Sequence, residues 1–257
     1  MSDQAFDSDP EAGIRPLVIG LPCRARAGKM KRILCRGSLL VALFLTTGCA
    51  SETLFEANFD GNTIGQPPSP TQAVGTVNLD GPQGGVLVVA PPVTPSGKWV
   101  QIRRPDGPAV VALLGNLSQF RGDGTYVFST FLYIPAKTGL ASIQFEPFGV
   151  AANTYTEGFL HLDFMQDNTV RIDDDPGTAF GTFPRDQVFI VQVTLNINAS
   201  SKAHIVLSGA GASGEANRDV LAPLRAKAQQ FGAVRIWMGF PQTGSFDATN
   251  IVVTRKT

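Results

Sequence analysis

Apolar and polar residues alternate with a period of two along most of the chain after residue 52. This alternation is typical of half-buried β-strands, because successive side chains of a strand point to opposite faces of the sheet. Turn-forming residues separate the alternating runs, as in Gly122-Asp123-Gly124. The pattern predicts these strands: Leu54–Phe59, Val74–Leu79, Gly85–Ala90, Trp99–Arg103, Thr125–Ile134, Ala141–Phe148, Phe159–Met165, Thr169–Asp173, Val188–Ile197, His204–Leu207, Ala233–Phe240 and Ala248–Thr254.

One segment departs from this alternation. Pro223–Phe231 has proline in its first turn and Gly232 directly after its end, which is the usual arrangement of a helix. A series of short strands with one short helix predicts an all-β protein, built as a single antiparallel β-sandwich of the jelly-roll kind.

The composition agrees with an all-β globular protein. Of the 257 residues, 43% are hydrophobic and only 16% are charged, with 27 glycines and 18 prolines. Basic and acidic residues number 21 each, so net charge gives no reason to expect nucleic acid as a partner. Gly209–Gly214 matches the G-x-G-x-x-G pattern of nucleotide sites, but no alternation of strands and helices surrounds it. We therefore expect a loop there and no nucleotide.

The first fifth of the chain contains all three cysteines and a cluster of basic residues, followed by an apolar run. The fifteen residues between Arg36 and Glu52 carry no charge. A membrane-spanning helix needs about 20 residues, so this run is too short. A basic segment before such a run is the layout of a signal peptide, which we place at residues 30–48. The alternative is a buried apolar strand or helix that contains an incidental cysteine.

The apolar run ends in Leu45-Thr46-Thr47-Gly48-Cys49-Ala50, which resembles the lipobox of bacterial lipoproteins. The resemblance implies that Cys49 receives acyl chains such as palmitate and becomes the first residue after cleavage. Residues 49–257 would then form a mature domain anchored to the membrane. Ala50 after the cysteine resembles the pattern that directs lipoproteins to the outer membrane of Gram-negative bacteria, either on its periplasmic face or at the cell surface.

Residues 1–29 show no clear periodicity and precede the predicted signal peptide. A conventional signal peptide would begin at Met30. Residues 1–29 are therefore either a disordered extension or the result of a start codon assigned too early.

The chain after Cys49 resembles the concanavalin A-like and laminin G-like β-sandwiches. The residues that carry the resemblance are the opening Phe55-Glu56-Ala57-Asn58-Phe59-Asp60-Gly61 and the ending Phe246-Asp247-Ala248-Thr249-Asn250-Ile251-Val252-Val253. Such domains often pair their first and last strands. The resemblance implies a fold shared by lectins, glycan-binding modules, glycosidases, lyases and adhesion domains, so function must be argued from the site itself.

Both tryptophans stand on the polar side of their strands rather than with the apolar residues. A sheet face with aromatic and planar polar side chains suits sugars, because an aromatic ring covers the apolar face of a pyranose and polar groups bind its hydroxyls. We therefore predict a face that binds a glycan such as a polysaccharide or peptidoglycan. The alternative is an ordinary solvated face on which loops cover the tryptophans. The candidate residues are Trp99, Gln101, Arg103, Gln144, Glu146, His161, Asp163, Arg171, Arg235 and Trp237.

The same face offers an enzymatic alternative, a polysaccharide hydrolase or lyase. Its catalytic candidates are Glu146, His161 and Asp163, with the two carboxylates as an acid/base pair if their strands are neighbours. The Glu-x-Asp-x-x-Glu string of related glucanases and the Gln-x-His string of sandwich-fold lyases are both absent. The sequence therefore favours binding over catalysis. A third interpretation is a structural lipoprotein that contacts other envelope proteins.

Metal chemistry has one candidate site. Glu56, Asp60 and Asp247 lie near the two ends of the domain and are the candidate oxygen ligands of a structural Ca²⁺. Asp173-Asp174-Asp175 is an acidic turn that also offers oxygens, although a hairpin end explains it better. With two histidines and no cysteine after Cys49, neither a zinc site nor a Cys/His nucleophile is expected.

Overall fold

The computed structural model describes residues 51–93, 97–105, 109–147, 158–173, 175–198, 202–220, 230–239 and 243–256. The predicted signal peptide, Cys49 and residues 1–29 lie outside these ranges, and their assignment stays a prediction. The strands are β1 (Ser51–Ala57), β2 (Thr76–Asp80), β3 (Val86–Val89), β4 (Trp99–Arg104), β5 (Val111–Arg121), β6 (Gly124–Tyr133), β7 (Ala141–Pro147), β8 (Leu160–Phe164), β9 (Thr169–Ile172), β10 (Gly181–Thr182), β11 (Val188–Ile197), β12 (Lys202–Ser208), β13 (Ser213–Asp219), β14 (Phe231–Met238) and β15 (Gly244–Lys256).

The strands form two sheets that share one hydrogen-bonded path. The first sheet has the order β2-β5-β14-β7-β8-β9. The short strand β10 connects β9 to the second sheet, which has the order β13-β12-β11-β6-β15-β4-β3. All pairs are antiparallel, and β1 pairs with β15 so that Phe55 lies opposite Val253. The expected pairing of the first and last strands is therefore confirmed.

The core lies between the two sheets and is rich in phenylalanine. The ring of Phe128 on β6 meets that of Phe145 on β7 edge to face, with 5.1 Å between ring centroids. The ring centroids of Phe164 on β8 and Phe189 on β11 lie 5.8 Å apart across the sandwich, with an angle of 52° between the ring planes. These pairs join strands that are far apart in the hydrogen-bonded order, so the two sheets pack face to face. The predicted all-β antiparallel sandwich is confirmed.

Three strands of the structure were not predicted from the alternation, namely β5, β13 and the two-residue strand β10. β5 carries the apolar run Val-Ala-Leu-Leu at its start, because both faces of the strand are buried there and alternation disappears. β13 has the sequence SGEANRD, which is polar almost throughout because it is largely solvated. Neither β5 nor β13 has the period-two signal on which the prediction relied.

The prediction of a helix at Pro223–Phe231 is wrong at its C-terminal end. Phe231 begins β14 and is buried in the core, where it meets Tyr126 edge to face. Residues 223–229 lie outside the described ranges. The only helical element among the described residues is a 3₁₀ turn at Pro176–Thr178, capped by the side chain of Asp175. Asp175 thus belongs to a turn that follows β9.

Within the described ranges, no helix has the length and apolar character needed to cross a membrane.

Candidate functional site: the polar face of the first sheet

Side chains of the first sheet that point away from the core form a continuous set, which we call the polar face. Its members follow from the strand register. Trp237 on β14 pairs with Ser142 on β7, which pairs with Asp163 on β8, which in turn pairs with Arg171 on β9. In the next row, Arg235 pairs with Gln144, and Gln144 pairs with His161. The polar face comprises Asp80, Ser142, Gln144, Glu146, His161, Asp163, Arg171, Arg235 and Trp237.

Arg235 lies at the centre of this face and contacts two carboxylates. Its Nε donates to Oε1 of Glu146 at 2.6 Å, and its Nη1 donates to Oδ2 of Asp80 at 2.7 Å. Such charge-assisted hydrogen bonds are short and strong. Three strands, β2, β14 and β7, are therefore connected through one guanidinium group.

His161 and Trp237 form the aromatic part of the face. Their rings are stacked, with centroids 5.5 Å apart and an angle of 19° between the planes. Burial lowers the pKa of His161 to about 4, although Oδ1 of Asp163 lies 3.2 Å from its Nε2. Desolvation disfavours the imidazolium form, so the stack carries no charge at neutral pH.

Asp163 connects the aromatic pair to β7. Its Oδ1 accepts a hydrogen bond from Oγ of Ser142 at 2.7 Å and also faces the imidazole of His161. Serine and histidine thus both contact the same carboxylate oxygen, and the hydroxyl hydrogen of Ser142 is directed at Asp163.

Two glycines allow the polar side chains to lie flat on the sheet. A Cβ atom at Gly239 would lie 2.6 Å from the Trp237 ring, and one at Gly158 would lie 2.9 Å from the amide of Gln144. Both contacts are shorter than real Cβ atoms tolerate, so larger residues would displace these two side chains.

The centre of the polar face is buried, and its edges are exposed. Asp163 is 0% exposed, His161 1% and Arg235 7%. At the two edges of the sheet, the side chain of Asp80 is 50% exposed and that of Arg171 is 21% exposed. Polar groups on the side of a sheet opposite the core are costly to bury unless they are hydrogen-bonded, and once bonded they fix a unique arrangement.

The structure brings seven of the ten predicted binding residues onto this face: Gln144, Glu146, His161, Asp163, Arg171, Arg235 and Trp237. Ser142 and Asp80 also belong to it and were not predicted. Ser142 lies two positions before Gln144 on β7, so both side chains point to the same side of the sheet. The alternation in the sequence could therefore have identified Ser142. Asp80 follows the predicted end of its strand at Leu79, and no local pattern connects it to Arg235.

The two catalytic carboxylate candidates lie on neighbouring strands but are offset along the sheet. Asp163 lies opposite Ser142, and Glu146 is four residues further along β7. Four residues of a strand span roughly 13 Å. The carboxyl groups of glycosidases are about 5 to 9.5 Å apart. Glu146 also accepts a hydrogen bond from Nε of Arg235.

The other three predicted binding residues lie elsewhere. Trp99, Gln101 and Arg103 belong to β4 in the second sheet, on its outer face, and Nε2 of Gln101 donates to Oδ1 of Asp247 at 3.0 Å. The hypothesis of one face containing both tryptophans is corrected accordingly. Trp99 is 2% exposed, and its indole N–H has no hydrogen-bond partner.

The buried carboxyl group of Asp247 makes the stability of the folded protein depend on pH. Burial raises its pKa to about 6, and the hydrogen bond from Gln101 offsets this only in part. The folded protein therefore holds a proton between about pH 4 and pH 6 that the unfolded chain releases, so stability decreases as pH rises through this window.

An Asp247→Asn variant is expected to be more stable than the parent above pH 6, by at most about 3 kcal/mol, because the amide has no charge to desolvate. The difference should vanish near pH 4. Urea unfolding at both pH values measures it. Asp219→Asn, at an aspartate whose side chain is 85% exposed, is the control and should change little. Parallel pH profiles for Asp247→Asn and the parent would show that Asp247 is not the titrating group.

The three calcium candidates do not come together. Asp247 pairs with Gln101, and Glu56 lies on β1 opposite Val252. Asp60 contacts Lys98 instead: Nζ of Lys98 donates to the carbonyl oxygens of Asp60, at 2.8 Å, and Asn62, at 2.5 Å. Among the residues that the structure describes, no group of three or more acidic, histidine or cysteine side chains is arranged to share a metal. The ammonium group of Lys98 takes the oxygens that a cation would use.

We expect a Lys98→Met variant to lose about 1–2 kcal/mol of unfolding free energy, since two charge-assisted hydrogen bonds to carbonyl oxygens disappear. The matched control is Lys202→Met. The side chain of Lys202 is 66% exposed, and its Nζ lies 3.9 Å from Oδ1 of Asp219, which is beyond hydrogen-bond distance. The control should change by less than about 0.5 kcal/mol. Neither EDTA nor added calcium should shift the parent's melting temperature, and a shift with EDTA would restore the calcium hypothesis.

Comparison with known proteins gives structural likenesses only. No protein-family model matches the chain, and neither does any curated protein sequence. Among solved structures it is similar to arcelin-5, a lectin-like defence protein from Phaseolus vulgaris, at 11% identity over 80% of this chain and 98% of that chain, with a TM-score of 0.47. Lectin II from Ulex europaeus is similar at 11% identity over 81% and 99% of the two chains, with a TM-score of 0.44.

An enzyme is also among the similar structures. The endo-β-1,4-glucuronan lyase from Trichoderma reesei matches at 10% identity over 80% of this chain and 96% of that chain, with a TM-score of 0.48. At such identities and TM-scores the likenesses say nothing about ligand or activity.

Proposed function

We propose that the polar face of the first sheet binds a glycan. The observation that carries the proposal is the stacked pair of His161 and Trp237, which shares a sheet face with Gln144 and with the hydrogen-bonded pair Arg235 and Glu146. Aromatic rings suit the apolar face of a pyranose. The amide of Gln144 and the carboxylates beside it suit its hydroxyls, and their fixed positions lower the cost of ordering on binding.

An enzymatic function has less support than glycan binding. Hydrolysis by two carboxylates does not fit the separation of Glu146 and Asp163 along the sheet. Elimination from a uronate needs a cation to stabilise the developing charge, and the guanidinium group of Arg235 already contacts two carboxylates. Binding without turnover is therefore the better account.

We further propose that the chain is a lipoprotein, tethered through Cys49 to the outer membrane of a Gram-negative bacterium. The basic segment, the short apolar run and the Gly48-Cys49 end support this part of the proposal. A tethered binding domain would hold polysaccharide or peptidoglycan at the envelope. An envelope protein as the partner is the remaining alternative.

The test is retention of the full-length protein on a panel of polysaccharides and peptidoglycan, in a detergent without a sugar headgroup. A Trp237→Ala variant should lose at least about tenfold in affinity, as expected for a central aromatic contact. Trp99→Ala is the matched control, because it removes an equally buried tryptophan from the other sheet. Circular dichroism confirms that both variants are folded.

The same samples are assayed for released sugar ends. Retention without products, lost in Trp237→Ala alone, supports the binding proposal. Products that depend on His161 or Asp163 would replace it with an enzymatic function. No retention and no products across the panel would overturn it and point to a protein partner.

A further inference from the structure

The charges of the polar face restrict the glycan that it takes, an inference that rests on the proposed function. The central cation, Arg235, is matched by Glu146 and Asp80, which lie on the strands at either side of the β5-β14 pair. The register places uncharged residues on the intervening strand β5: Ala112 and Leu114 face this side of the sheet. Two carboxylates thus surround one guanidinium group.

The remaining groups add no uncompensated positive charge. His161 is neutral, and Asp163 lies directly beside it on β8. Arg171, on the edge strand β9, lies opposite Asp163 in the register and contacts Oδ2 of Asp167 at 3.2 Å. Among the described residues of the polar face, each arginine therefore has a carboxylate partner, and carboxylates outnumber arginines.

An acidic sugar would therefore meet no arginine of this face that lacks a carboxylate partner. Its carboxylate could reach Arg235 only by displacing Asp80 or Glu146, and the displaced carboxylate would then lose its cation in a site that is largely shielded from water. A hydroxyl or an N-acetyl group has no such cost, because it adds hydrogen bonds to side chains that remain paired.

We infer that the polar face selects uncharged glycans over polyuronates, with the Asp80–Arg235–Glu146 contacts as the element that excludes acidic sugars. The selectivity then comes from the cost of binding an acidic sugar, and not from additional contacts to a neutral one.

The experiment compares neutral polymers, such as β-glucan, mannan and chitin, with the polyuronates alginate and pectate. The full-length parent should be retained by at least one neutral polymer and at least about tenfold less by either polyuronate. Retention by the neutral polymer should change less than about twofold between roughly 0.05 and 0.5 M salt, since no ion pair is formed with the ligand.

An Asp80→Asn variant provides the gain-of-function arm. Asp80 is half-exposed at the edge strand, so the substitution releases Nη1 of Arg235 without leaving a buried charge. Polyuronate retention should rise at least about fivefold in this variant, and remain unchanged in Asp219→Asn, at an exposed aspartate of β13.

The outcomes distinguish a failure of this inference from a failure of the proposed glycan binding. Parent retention on polyuronate equal to that on neutral polymers would overturn this inference while leaving glycan binding intact. Failure of Asp80→Asn to gain polyuronate retention would overturn the role given to the Asp80 contact. No retention on any polymer would overturn glycan binding itself, and this inference with it.

Discussion

An Arg235→Leu variant is expected to unfold with about 3–5 kcal/mol less free energy than the parent. The leucine fills much of the space but removes the cation that Glu146 contacts at 2.6 Å, and Glu146 is only 2% exposed. A carboxylate left in such a position keeps its desolvation cost and loses its compensation. Urea unfolding measures the effect as a lower midpoint with an unchanged slope.

The control for this prediction is Arg103→Leu. Arg103 is exposed on the outer face of the second sheet, so the same substitution should change stability by less than about 0.5 kcal/mol. The double variant Arg235→Leu with Glu146→Leu should recover part of the loss, because it removes both charges together. Equal destabilisation in Arg235→Leu and Arg103→Leu would show that the buried contact between Arg235 and Glu146 adds no more to the free energy of unfolding than an exposed arginine does.

Most of the fold was predictable because period-two alternation survives wherever one side of a strand meets the core. His161 and Asp163 oppose Leu160 and Leu162 on β8, and the structure keeps that division. The alternation failed at β5 and β13. A strand buried on both faces and a strand that is largely solvated have the same lack of periodicity as a loop.

The site was predictable only in part, because strand parity does not say which sheet a strand joins. Trp99 and Trp237 have the same local pattern, yet β4 pairs with β15 and β14 pairs with β5 and β7. That choice depends on pairing between residues more than about eighty positions apart. The contact between Asp80 and Arg235 is of the same kind, and no local signal announces it.

A Cys49→Ser variant tests the membrane anchor, and its expected effect is all-or-none. Lipid attachment requires the thiol, and serine does not form the thioether. In a Gram-negative host supplied with labelled palmitate, the parent should incorporate label and migrate at the size of a chain cut before Cys49. The variant should incorporate none. Two or more acyl chains anchor a protein stably, while one chain binds only marginally, so the loss of both is decisive for membrane retention.

The chain provides its own controls, because its other two cysteines, Cys23 and Cys35, precede the predicted cleavage point. Cys35→Ser should leave palmitate incorporation unchanged, since residue 35 is removed with the signal peptide. Cys23→Ser should be equally silent, whether translation begins at Met1 or at Met30. Label that persists in Cys49→Ser would contradict the lipoprotein proposal. Label that disappears in Cys35→Ser would place the anchor at a different cysteine, and a glycan-binding sheet would then need another route to the cell envelope.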